Sequence, residues 1–337
     1  MVRKNHQGEA RLKAVICHEF GPIENLTVEE IPAPVAEAGE VVIGIEAAGI
    51  NFPDGLMVRG EYQVKPPRPF TPGSEVAGRI LAVGDGVAGF ALGDRVVSLC
   101  SIGGFAEQVA VQAARVMKLP DTMDARTAAG FMLVYGTSAH ALLDKGRLAA
   151  GETLLVLGAA GGVGLAAVEI GKALGARVIA AASTDEKCAL AQAHGADLTI
   201  NYAAADLKTE LKRLIPAGVD VVYDPVGGPL TEAAVRGMAW GGRLLVVGFA
   251  NGEIPKLPLN LLLLREGEAI GVFWGTFTQR DPARHAHNVA LLMRWFAEGK
   301  LRPHVGGAYP LVRVQDALGD VMGRRAHGKI VLTNEAA

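Results

Sequence analysis

One segment limits the possible folds more than any other: Leu154-Leu-Val-Leu-Gly158-Ala-Ala-Gly161-Gly-Val-Gly164-Leu-Ala-Ala-Val-Glu-Ile170. An apolar run of strand length meets a glycine-rich turn, and the turn opens directly into an amphipathic stretch. Glycines let the backbone approach a pyrophosphate, and the helix N-terminus turns free N–H groups toward its negative charge. A glycine cluster alone also reads as a plain tight turn. The strand before it and the helix after it turn the motif into a dinucleotide site.

Downstream of residue 129 the rhythm is strand, turn, helix. Strands are predicted at 154–157, 177–181, 198–200, 219–223, 243–247 and 269–273, with helices at 163–174, 186–194, 204–215 and 230–238. Such alternation implies an α/β, doubly wound parallel sheet with its cofactor at the carboxyl ends of the strands. Upstream lie short β-like runs, 40–48, 76–83, 94–99 and 105–111, broken by turns such as Pro66-Pro-Arg-Pro-Phe-Thr-Pro72. They read as a partly open β-barrel domain. After a long helix near 283–298 come a β run at 305–310, a short helix at 314–322 and a final strand at 329–332, late enough to return to that barrel. The expected organisation is a discontinuous first domain, 1–128 and 276–337, with a nucleotide domain, 129–275, inserted into it. Residues 1–12 read as a loose polar extension before a first strand at 13–17.

The net charge of −2 offers no basic field for nucleic acid or an anionic membrane. Three cysteines, Cys17, Cys100 and Cys188, contain no CxxC pair and suit a reducing cytoplasm. No apolar run reaches membrane-spanning length, and the N-terminus lacks the apolar core of a signal peptide. The greasiest run, Leu259–Leu264, fits either a subunit interface or intramolecular core.

The fingerprint G-x-G-x-x-G reads here Ala159-Ala160-Gly161-Gly162-Val163-Gly164. An NAD site usually places an acid at the end of the second strand to hold the ribose 2′-hydroxyl. This strand instead runs out in Ser183 and Thr184, with Lys187 one helical turn on and Tyr202 further along. A 2′-phosphate suits Ser183, Lys187 and Tyr202; the alternative is that Lys187 is a solvated lysine beside Asp185 and Glu186.

Ala48-Gly-Ile-Asn51-Phe-Pro-Asp54, Arg59-Gly-Glu-Tyr62, Pro72-Gly-Ser74-Glu75-Val-Ala-Gly78, Gly93-Asp-Arg-Val96 and the glycine turn together resemble the medium-chain dehydrogenase/reductase superfamily. The resemblance covers Lys13 to Leu332 and implies a Rossmann domain beside a GroES-like one. Zinc members carry cysteine where this chain has Asn51 and histidine where it has Ser74. Neither replacement is a zinc ligand of the usual kind, so the expectation is a zinc-free enzyme. His285 and His287 read as surface residues. The branch that the chain resembles most is the quinone oxidoreductases related to zeta-crystallin, through Asn51 with Tyr62, Tyr135-Gly-Thr137, Lys187 with Asn201-Tyr202, Val222-Tyr-Asp224-Pro-Val-Gly-Gly228 and Gly248-Phe249-Ala250. It implies NADPH as cofactor, with Lys187 and Tyr202 on its 2′-phosphate, a late arginine matched by Arg325, and a homodimer joined through the edges of the nucleotide-domain sheets.

That family implies hydride transfer to a quinone or similar conjugated carbonyl. Asn51 and Tyr62 are the candidate hydrogen-bond donors to the reacting groups; the alternatives are that Asn51 braces a turn and Tyr62 packs on loop prolines. Tyr135 and Thr137 are expected to line the cleft, and Phe273 and Trp274 to meet the nicotinamide or to form a hinge cluster. Cys100 reads as core. A second reading, an enone or acryloyl-CoA-type reductase, uses Arg59, Lys65 and Arg68 on an anionic substrate. A third is a non-enzymatic NADPH-binding structural or RNA-binding protein.

Overall fold

The computed structural model describes residues 3–4 and 10–334. The chain divides into two units, Met1–Leu133 with Val305–Ala337, and Val134–His304. The expected extension, 1–12, lies mostly outside the described residues.

Dense turn signals and alternating burial make the first unit antiparallel except for its last two strands, which pair parallel. β1 (Arg3–Lys4), β2 (Ala10–Ile16) and β3 (Thr27–Pro32) form a three-stranded sheet. Then come β4 (Glu40–Ile50), α1 (Phe52–Val58), β5 (Glu75–Val83), β6 (Arg95–Leu99), β7 (Gln108–Gln112), β8 (Val116–Lys118) and α2 (Ala125–Ala129). Phe105, expected in a strand, instead lies in a loop where its N–H reaches Pro72 O and its carbonyl accepts from Val15.

The chain passes into the second unit through α3 (Met132–Ala139) and a π-helical turn, His140–Lys145. Six βα repeats follow: β9 (Thr153–Leu157), α4 (Gly162–Ala173), β10 (Arg177–Ala182), α5 (Asp185–Ala193), β11 (Leu198–Asn201), α6 (Leu207–Leu214), β12 (Val219–Asp224), α7 (Pro229–Arg236), β13 (Met238–Val246), α8 (Asn260–Leu263), β14 (Glu268–Gly271) and α9 (Trp274–Arg280). The strands pair in the order β11-β10-β9-β12-β13-β14, all parallel. In order of appearance that is 3-2-1-4-5-6, the Rossmann arrangement, which reverses direction between β9 and β12. Leu154, Leu155, Val156 and Leu157 are completely buried, as a central strand covered by helices on both faces must be.

α10 (Pro282–Ala297) completes this unit. Residues 276–304, which the sequence reading places with the barrel, therefore belong to the nucleotide unit. β15 (Val305–Pro310), α11 (Val314–Met322) and β16 (Lys329–Thr333) return to the first unit. There β16 pairs antiparallel with β4, Ile330 opposite Ile50, and closes a seven-stranded sheet, β15-β16-β4-β5-β6-β8, with β7 also on β4. Ile43, Val76, Ile80, Phe105, Leu318 and Leu332 fill its core.

Candidate functional site

The glycine turn joins β9 to α4. Gly158 has φ of +60°, a left-handed conformation that favours glycine. A Cβ on Gly164 would lie 2.3 Å from Gly158 O, so only glycine lets α4 start this close to the strand. A Cβ on Gly161 would meet nothing nearer than Gly158 O at 3.4 Å, so the turn is open above it. The first intrahelical bond runs from Leu165 N–H to Gly161 O. The N–H groups of Gly162, Val163 and Gly164 come before it and have no α-helical acceptor. Ala160 is buried behind the turn. These features form an anion cradle of the kind that suits a pyrophosphate.

At the carboxyl ends of the neighbouring strands, Ser183 follows β10 directly and is half-buried. Thr184 caps α5 by accepting the Lys187 N–H at 3.3 Å, which holds Lys187 in the first turn beside Ser183. Tyr202 follows β11, and its N–H donates to Ala182 O at 3.0 Å. The fold thus brings Ser183, Lys187 and Tyr202 to one rim. Asp185, the nearest acid, is turned aside to accept from Asn201 Nδ2 at 2.8 Å.

Gly248 and Phe249 follow β13 at the same end of the sheet. The Gly248 N–H points to Asp224 O, and the Asp224 carboxylate orders the adjoining loop through Val226 N–H, Gly227 N–H and the Thr231 hydroxyl. Phe273 is 54% exposed at the start of α9, whereas Trp274 is buried with its ring against Gly136 in α3, next to half-buried Thr137. Tyr135 is buried too. Its hydroxyl donates to Glu169 at 2.7 Å, and Glu169 also accepts from Arg302 N–H and pairs with His194. Tyr135 is expected to line the cleft; its hydroxyl is engaged within the unit. Arg325 lies in the first unit, ion-paired with Asp320 at 2.9 Å. His285, expected at the surface, is half-buried against the rings of Trp274 and Phe277.

The first unit carries a buried polar cluster where β4, α1, β5 and β16 meet. Asn51, Asp54, Glu75 and Lys329 are all at least 95% buried. Lys329 Nζ donates to Asn51 Oδ1 and, at 3.3 Å, to Glu75 Oε2. Asn51 Nδ2 donates to Gly49 O at 3.3 Å. Glu75 Oε1 accepts from Leu133 N–H, and Asp54 accepts from Asn51 N–H at 2.8 Å and the Ser74 hydroxyl at 3.1 Å. Burial pushes the Asp54 carboxyl up to about 6, against the lowering by Asn51 N–H, Lys329 and Ser74. Tyr62 is half-buried beside it; burial first, and then the Asp54 carboxylate, hold its phenol above the ordinary value. It stays a hydrogen-bond donor. Burial and the same carboxylate push the Cys100 thiol up to about 12, so it is no nucleophile near neutrality. Arg59 and Lys65 are exposed, and Arg68 lies over the Phe20 ring.

In the sequence Asp54, Glu75 and Glu169 stand in motifs that assign them no role, and Lys329 only opens the final strand. A charged residue opening an apolar strand, as in Lys329-Ile-Val-Leu or Glu75-Val-Ala, is the signal that marks such residues.

A Rossmann unit with this cradle, joined to a GroES-like unit with this buried cluster, defines an oxidoreductase of the medium-chain dehydrogenase/reductase superfamily. Comparison with known proteins agrees. The family model described as "Alcohol dehydrogenase GroES-like domain" matches residues 37–121, and "Zinc-binding dehydrogenase" matches 162–291. The chain is 38% identical to quinone oxidoreductase-like protein 2 of Rattus norvegicus over 99% of its own length and 95% of the relative's. It is 33% identical to the quinone oxidoreductase of Homo sapiens, covering 96% and 98%. The structure of the Escherichia coli quinone oxidoreductase complexed with NADPH superimposes with a TM-score of 0.87 at 29% identity, over 96% of this chain and 100% of that one. The chain belongs to the quinone oxidoreductase family within this superfamily.

One family model carries zinc in its description, and the residues here do not fit that ion. Asn51 Oδ1 is taken by the Lys329 ammonium, and the Ser74 hydroxyl is turned to Asp54. Among the described residues, no group of three or more His, Cys, Asp or Glu is placed to hold a metal. An ammonium already holds the oxygen that a metal would need.

Proposed function

We propose that the chain is a zinc-independent, NADPH-dependent reductase of quinones or similar conjugated carbonyls. The observation that carries the cofactor choice is the rim of Ser183, Lys187 and Tyr202, with Asp185 committed to Asn201. A hydroxyl, an ammonium and a phenol suit a 2′-phosphate, where an acid would repel it.

With its pyrophosphate on the cradle, NADPH would supply a hydride from its nicotinamide. The chain's own residues orient and stabilise. The amides of Gly162 and Val163 would hold the pyrophosphate, and Gly248, Phe249 and Phe273, which follow β13 and β14, would line the nicotinamide side together with Thr137. Tyr62, kept protonated, donates to the oxygen on which charge develops. One such donor is worth ~2.7–4 kcal/mol of transition-state stabilisation. Asn51 has its carbonyl fixed by Lys329 and its amide turned to Gly49, so its part is to brace the turn that carries Asp54.

The active form in this reading is a homodimer. β14 is an edge strand of the parallel sheet, and Trp240, Ile254, Leu259, Leu263 and Leu264 around it are 65% exposed or more. Of the apolar run, Leu261 alone is buried in the unit's core. An apolar surface beside an open edge is a pairing surface. The free cysteines suit the cytoplasm. Consumption of NADPH on addition of an ortho-quinone tests the reading.

A further inference from the structure

Hydride transfer to a quinone leaves a hydroquinone anion, and transfer to an enone leaves an enolate. Either product needs one proton, and the hydride does not bring it. The buried cluster of the first unit is built to hold one. A single ammonium, Lys329 on β16, faces two buried carboxyls, Glu75 on β5 and Asp54 on α1. Its bond goes to Glu75. Among the described residues, Asp54 has only the Asn51 backbone N–H and the Ser74 hydroxyl. The other titratable groups around Asp54 are Tyr62 and Cys100, both neutral, and α11 brings the thioether of Met322 against Gly55 rather than a charge. Two carboxylates with one ammonium leave a buried excess negative charge, which is costly unless a proton neutralises it. Ser74 is half-buried, unlike Asp54 and Glu75, so it is the member of the chain of hydrogen bonds that reaches outward.

Resting on the reductase reading above, we propose that Asp54 and Ser74 form a proton relay for this enzyme, Asp54 holding the proton and Ser74 passing it to the reduced acceptor. With the proton on Asp54, its O–H donates to Ser74 Oγ and frees the serine hydrogen to point outward. The acceptor anion takes that hydrogen as Ser74 takes the one from Asp54. The Asp54 O–H bond breaks, the acceptor O–H or C–H bond forms, and no electrons move beyond the hydride pair. Water returns a proton to Asp54 through the same serine before the next turnover. Tyr62 stabilises the charge while it exists and is not consumed.

The test pairs two variants with two readouts. Ser74→Ala removes the relay and one hydrogen bond to Asp54 while leaving Lys329 and Glu75 in place, and Asp54→Asn keeps the shape but holds no exchangeable acid. Turnover is followed against pH in H₂O and D₂O with NADPH and an ortho-quinone. In the parent, kcat should fall as pH rises past about 6, and a solvent isotope effect should be present. Each variant should lose kcat by about 100-fold, the lower end for a general acid, with KM for NADPH unchanged and that pH limb gone. Independently of any acceptor, the infrared carbonyl band of a protonated carboxyl should titrate in the parent and be absent in Asp54→Asn. Parent-like rates and pH profiles in both variants overturn the relay alone, as does an infrared band that survives Asp54→Asn. A parent that reduces no acceptor overturns the reductase reading and the relay with it.

Discussion

The ammonium of Lys329 donates to the side-chain oxygen of Asn51, a residue 278 positions earlier in the chain. This bond ties the last strand to the turn between β4 and α1, and it fixes which end of the Asn51 amide is the oxygen.

Removing that ammonium strands Glu75, which is fully buried. Lys329→Met should therefore destabilise the protein by about 3–5 kcal/mol, the usual cost of leaving one charge of a buried pair. Lys329→Met with Glu75→Gln should lose less than Lys329→Met alone. Denaturant midpoints of the four proteins measure the coupling, and additive losses would show that the two groups act separately.

Asp54 gives stability a pH dependence of definite sign. Its carboxyl is raised from 3.8 to about 6 in the fold, so the folded state holds the proton more tightly than the unfolded one. The contribution is full below the unfolded value and is lost as pH rises through the folded value. The difference in thermal midpoint between the parent and Asp54→Asn should shift against the parent between about pH 4 and pH 6 and then level off. A shift in the opposite direction would mean that Asp54 is ionised in the fold.

Lys187→Ala tests the rim. Losing a charge-assisted hydrogen bond of ~1.5–3 kcal/mol weakens NADPH binding by about 10–100-fold. NADH, without the 2′-phosphate, should bind the variant as it binds the parent. Titration calorimetry with both cofactors decides, and equal losses for the two would place Lys187 elsewhere.

Leu263 is 77% exposed next to the β14 edge. Leu263→Arg should convert a dimer to a monomer by sedimentation while leaving the circular dichroism of the fold intact. A parent that sediments as a monomer contradicts the pairing surface.

The fold was legible where the pattern is local. Leu154–Leu157 and its glycine turn announce β9 and α4 to within a residue, and β15 and α11 fall where the periodicity puts them. β13 was read as beginning at Arg243 but begins at Met238, because Met238 pairs with Val219 across a bulge that no local pattern encodes. Ser183 and Tyr202 were legible as rim residues because each sits just beyond a strand, and Lys187 because it falls in the first turn of the helix that follows. The buried cluster was not, since Lys329 and Asn51 come together only when β16 pairs with β4. Tyr135 shows the converse: an aromatic in a suggestive motif whose hydroxyl goes to Glu169, a partner in another helix.

The central claim is NADPH-dependent reduction of a quinone. Initial rates of NADPH consumption, with an ortho-quinone and acryloyl-CoA side by side and NADH as the cofactor control, test it most directly. NADPH with the quinone should turn over fast, and NADH should serve poorly. Preference for the thioester, or NADH serving as well as NADPH, would contradict it.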